Sequence, residues 1–60
     1  MNWRELNQKI NLLTEEQVLR MLNDERIGLR RVTMLQRLHQ RYTMLRAARE
    51  RVELLKEAVR

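Results

Sequence analysis

Seven arginines and no acid stand between positions 26 and 49: Arg26, Arg30, Arg31, Arg37, Arg41, Arg46 and Arg49. Guanidinium groups are planar, permanently charged and forked, so they suit bidentate recognition of phosphates and carboxylates better than ammonium groups do. Arg26 with Arg30, and Arg37 with Arg41, stand at i,i+4 spacing, where like charges on an isolated helix repel by roughly 0.2–0.5 kcal/mol. Upstream, residues 1–25 set Arg4, Lys9 and Arg20 against five acids, and residues 50–60 balance three against three, so the middle carries the whole net charge of +5. Two readings are open. In one, Arg30, Arg37, Arg41 and Arg46 contact a polyanion or an acidic partner, the first three along one edge of an apolar helix seam and Arg46 on the other side. In the other, Arg26, Arg30 and Arg31 pair with Asp24, Glu25 or acids of another chain, and the arginines follow from a GC-rich genome, since eleven of the thirteen basic residues are Arg.

Other chemistry is thinly supplied. The chain has no Cys, no Ser and a single glycine, Gly28, which excludes disulfides, thiolate metal sites and a Gly-rich phosphate loop. His39 is the only histidine, so a histidine-based metal site would have to be shared between chains. The acids fall at helix starts or in i,i+4 pairs such as Glu5 with Lys9. The expectation is a non-enzymatic protein without catalytic residues, metal, cofactor or small-molecule substrate.

The elements that position these residues are helices. Helix formers dominate, Pro is absent, and Trp3 and Tyr42 are the only aromatics. Asn2 with Glu5 predicts a capping box, followed by the stripe Trp3, Leu6, Ile10 and Leu13. Thr14 with Gln17 predicts a second box, with Glu15 and Glu16 in the positive first turn and Leu13 stapled to Val18. Val18, Leu19, Met21 and Leu22 form the apolar face of that helix, and Gly28 marks its stop. Thr33 with Gln36 repeats the box spacing and predicts a third start after a connection at about 28–32.

From there Leu35, Leu38, Tyr42, Leu45, Ala48, Val52, Leu55 and Val59 follow steps of three and four. This is a coiled-coil-like seam, imperfect because 45, 48 and 52 break the strict heptad. The predicted fold is all-α: one small domain over 1–60, a helical hairpin of residues about 15–27 and 33–58, and a short N-terminal helix over about 3–12. The second helix is about 20 Å long and the third nearly 40 Å, so a hairpin of the two leaves the end of the third uncovered. The first helix is free to fold back over part of that end. A chain this short struggles to bury a sufficient core alone, and without cysteines the available support is oligomerisation or partner docking.

Several residues take a place in that scheme. Tyr42 belongs to the core with its hydroxyl at the rim. Met21, Met34 and Met44 line apolar faces as core. Arg49, inside the seam, pairs with Glu53 or specifies how a second helix docks. Arg30-Arg31-Val32-Thr33 has the pattern of a basophilic kinase site, but a capping role for Thr33 explains it. No apolar run reaches the length of a membrane span, and Asn2, Arg4, Glu5, Asn7 and Gln8 interrupt any secretory h-region. The chain, beginning at Met1, reads as a complete small gene product of the cytoplasm that does not enter a membrane.

Leu-Thr-Glu-Glu-Gln-Val at 13–18, Arg-Leu-His-Gln-Arg-Tyr at 37–42 and Leu-Arg-Ala-Ala-Arg-Glu-Arg at 45–51 resemble small helical proteins of tailed bacteriophages, over most of the chain. No single function goes with that group. The resemblance implies a host-takeover factor, a DNA-binding regulator or a minor virion part, placed in the host cytoplasm or the virion. The function expected from the residues is a protein-interaction module. Leu35, Leu38, Tyr42, Leu45 and Val52 form its contact line, Arg37 and Arg41 set orientation, and the partner is a larger protein or a second copy. The alternative is a basic helix-turn-helix-like protein that binds nucleic acid. Against it, the arginines flank an apolar seam instead of filling a polar face.

Overall fold

A computed structural model describes residues 1–59. Helix α1 spans Trp3–Lys9 and tightens into a 3-10 turn at Ile10–Leu12; α2 spans Glu15–Ile27 and α3 spans Val32–Ala58. Helices α2 and α3 pack as a hairpin, and no strand occurs among the described residues. This is the all-α hairpin with a short N-terminal helix that the capping residues predict.

The caps explain most of the boundaries. Asn2 Oδ1 accepts from the Glu5 backbone N–H at 2.8 Å, which makes one half of the expected box at α1. At α2 the box is complete: Thr14 Oγ1 accepts from the Gln17 N–H at 3.2 Å, and Gln17 Oε1 accepts from the Thr14 N–H at 2.9 Å. Helix α2 ends at Ile27 with Gly28 as its C-cap, donating to the Asp24 carbonyl at 2.8 Å. The left-handed residue that reverses the chain is Arg30, at φ 55°, and its N–H donates to the Glu25 carbonyl at 2.9 Å.

Helix α3 departs from the expected start. Its N-cap is Arg31, and the Thr33–Gln36 box does not form. The reason is a better acceptor close by: the Glu25 carboxylate reaches across the turn, and its Oε2 accepts from the Arg31 N–H at 3.0 Å. A carboxylate at a helix N-terminus also meets the positive end of the helix dipole. Thr33 is thereby drawn inside the first turn, where it is exposed.

The enclosed core is small: Leu6, Ile10, Val18, Leu22, Met34 and Leu38, with Leu13, Met21, Leu35, Tyr42 and Leu45 packed around it. Trp3, expected in the α1 stripe, lies at the helix start and stays 50% exposed. Met44, expected in the core, is 56% exposed. Helix α1 folds back over the beginning of α3, not over its end. Arg37 Nε donates to Asn7 Oδ1 at 3.1 Å, and Arg31 Nη1 donates to the Met1 carbonyl at 2.7 Å.

The far half of α3 is left bare, with every described residue from Arg46 onward exposed. The dimensions follow. The radius of gyration is 13.6 Å, against about 10 Å for a compact domain of this length. The accessible surface is 5052 Å², against about 4,200 Å² for a compact monomer of this mass.

Candidate functional site

The expected contact line divides in two. Leu38 is enclosed in the chain's own core at 1% exposure, so it has no surface to offer a partner. Leu35, Tyr42 and Leu45 are half-buried against that core. Val52 keeps the heptad spacing of Leu38 but is 51% exposed, beyond the part of α3 that packs into the core. The hairpin line 35, 38, 42, 45 would continue through 49, 52 and 56, but 49 and 56 hold Arg49 and Lys56, which leaves Val52 as its one apolar continuation. A second line begins at Leu45 and runs through Ala48, Val52, Leu55 and Val59, in unbroken steps of three and four. On an ideal helix it lies roughly 80° around from the hairpin face. The apparent heptad error at 45, 48 and 52 is the junction of these two lines.

Beyond half-buried Leu45, the second line is open to solvent from Ala48 onward. Leu55 is 61% exposed and Val59 84%, Ala48 is exposed, and Met44 borders the line. Contiguous exposed apolar patches are the surfaces that interaction sites use, whereas apolar residues scattered singly are ordinary.

Arg49 closes the hairpin where the first line stops. Its Nε lies 2.8 Å from Glu15 Oε2 and its Nη2 3.3 Å from Glu15 Oε1, while Nη1 reaches Glu53 Oε1 at 3.2 Å. Hydrogen bonds to Glu15 and then to Glu53 raise the guanidinium pKa further above its ordinary value. The Glu53 partner is the one that helical spacing predicts. Glu15 is added by the hairpin, from the first residue of α2.

The remaining arginines sort by what they touch. Arg31 forks onto Glu25, Nη2 to Oε1 at 2.8 Å and Nε to Oε2 at 3.2 Å. Those side-chain bonds, helped by the Arg31 backbone N–H, outweigh the desolvation of this buried carboxyl and lower its pKa from 4.5 to about 2. Arg46 pairs with Glu50 at 3.3 Å and lies 6.0 Å from the centroid of the Tyr42 ring, so it is occupied within its own helix. Arg37 donates to Asn7 and Gln40. Arg41 is half-buried, and its Nε is enclosed without a hydrogen-bond partner. Arg26 and Arg30 are exposed. Among the described residues, Arg26, Arg30, Arg37 and Arg41 therefore make no pair with a carboxylate, while Arg31, Arg46 and Arg49 do.

Those free cations continue onto the second line. Arg41 stands one helical turn before Leu45, at the head of the row, and Arg37 and Arg51 share an edge at multiples of seven residues. Lys56 lies on the opposite edge. His39 is exposed, and its carbonyl accepts from Thr43 Oγ1 at 2.8 Å. Among the described residues no three His, Asp or Glu side chains converge to hold a metal ion. No helix among the described residues is long and apolar enough to cross a membrane. Compared with known proteins, the chain matches no family model, no curated protein and no solved structure.

Proposed function

We propose that this chain is a non-enzymatic interaction module that docks the bare apolar row of α3 on a protein surface. The observation that carries the reading is the exposure of Val52, Leu55 and Val59, each more than half open, on a helix that outruns its hairpin partner. The accessible surface exceeds the compact expectation by roughly 800 Å². One side of a standard protein–protein interface buries about that much. The resemblance to small proteins of tailed bacteriophages supports a host protein or a virion component as the larger partner.

The test compares the native chain with a Val52→Lys/Leu55→Lys variant as bait in a bacterial lysate. Both positions are exposed, so the variant keeps the hairpin. Proteins held by the native chain and lost by the variant identify the partner; identical captures remove the reading.

A second reading, nucleic-acid binding, has one observation in its favour: four central arginines without a carboxylate partner among the described residues. If all four met phosphates, affinity would fall with salt at a log–log slope near roughly −4. The docking reading expects weak binding to random-sequence duplex DNA at near-physiological salt. Submicromolar, salt-sensitive binding that disappears in Arg37→Ala/Arg41→Ala would put the nucleic-acid reading first.

A further inference from the structure

Resting on the docking reading above, we propose that the occupant of the α3 row is an acidic amphipathic helix of another protein, not a second copy of this chain. Its apolar positions meet Leu45, Ala48, Val52, Leu55 and Val59, and its Asp or Glu residues lie beside them.

The charges that border the row carry the argument. Taking Leu45, Val52 and Val59 as first positions of successive heptads puts Ala48 and Leu55 at the fourth. The flanking positions are then Met44, Arg51 and Ala58 on one side, Arg49 and Lys56 on the other. No acid stands at either edge. Flanking charges of this kind set partner choice and orientation between paired helices. A parallel second copy would set Arg51 of each chain against Lys56 of the other. An antiparallel copy would set each basic edge against itself. Both orientations oppose like charges.

The row is also short for helix pairing of any kind, so the charges at its edges weigh heavily in partner choice. It spans two heptads, against the three to four that mark a sustained coiled coil. The same cations that penalise self-pairing favour carboxylates, and Arg41, without one among the described residues, waits at the head of the row. Complementary edges of this sort supply specificity and faster association more than raw affinity. A nucleic-acid backbone could satisfy Arg41, Arg51 and Lys56, but it would leave Val52, Leu55 and Val59 in water. An apolar row between cationic edges fits a helix with the opposite pattern.

The experiment titrates the full chain against two labelled synthetic peptides of three heptads, both with Leu at the seam positions. One carries Glu at the flanks and the other Lys, and anisotropy reads binding. The Glu peptide is expected to bind, with the Lys peptide about tenfold weaker, since two exposed pairs change from attraction to repulsion. Arg51→Glu/Lys56→Glu is expected to reverse that order, and Leu55→Lys to abolish binding. Circular dichroism on each variant confirms that the hairpin persists.

Equal affinity for the two peptides, or an order unmoved by the charge reversal, overturns the acidic partner while leaving docking at the row intact. Failure of the Glu peptide to bind, or its displacement by duplex DNA, overturns the acidic helix as well. Binding indifferent to Leu55→Lys overturns both the partner and the docking surface. Sedimentation equilibrium showing a dimer at tens of micromolar that Leu55→Lys dissociates would put a second copy on the row and end the proposal.

Discussion

Arg49 and Glu15 meet across 34 residues of sequence, guanidinium fork to carboxylate, with the shorter contact at 2.8 Å. The pair joins the first residue of α2 to α3 near its middle, and beyond it every described residue of α3 is exposed. Bidentate geometry is the case in which a partly exposed ion pair contributes measurably. Glu15→Gln and Arg49→Gln are each expected to lower the melting temperature, with less than additive loss in the double variant. A double-mutant cycle with no coupling would show the contact to be incidental. High salt should narrow the gap between native and variant chains.

Glu25 gives the fold an acid limit. Its carboxyl pKa is lowered from 4.5 to about 2 by Arg31, so the folded state prefers the charged form more strongly than the unfolded chain does. Stability from this group is complete above about pH 4.5 and drains away as pH falls toward 2. A Glu25→Gln variant should therefore melt lower than the native chain near neutrality and converge on it near pH 2. A constant difference across that range would mean that the carboxylate's charge does not matter.

Arg30 holds a left-handed backbone at φ 55° that costs a side-chain-bearing residue about 1–2 kcal/mol. Glycine escapes that cost but gives part back through its freer unfolded chain. Arg30→Gly is expected to stabilise the hairpin by about 0.5–1 kcal/mol, read by urea denaturation. A destabilised variant would mean that the arginine side chain matters more than its backbone.

Leu38 is the α3 residue most deeply enclosed, at 1% exposure. Leu→Ala at such sites costs about 2–5 kcal/mol. A single core of this size rarely supplies more than about 3–5 kcal/mol. Leu38→Ala should be largely unfolded at room temperature by circular dichroism, whereas Leu55→Ala should melt like the native chain. Equal melts for the two variants would refute the division of α3 into an enclosed and a bare half.

What the sequence made legible is what neighbouring residues decide. Gly28 falls at the C-cap of α2 as its position suggests, and Asn2 and Thr14 bound their helices through side chains that act within about one turn. Thr33 misleads for the same reason. A rule that looks three residues ahead does not see Glu25, six residues from Arg31, which supplies the acceptor instead. Arg49 was half legible: Glu53 lies one turn on, but Glu15 is reached only through the register of the hairpin. Spacing alone puts Leu38 and Val52, two heptads apart, on the same contact surface. Their burial separates them. The signal was present as the irregular step at 45, 48 and 52, which one continuous stripe cannot explain.

On the docking proposal, the rotation of the apolar row partway along α3 brings α2 and an incoming protein from different directions. Neither has to yield for the other to sit down. A visitor can thus arrive and leave without loosening the bundle, and changes to one contact in evolution need not disturb the other. On the same proposal, that separation makes the rigid half a handle for the half that is proposed to bind.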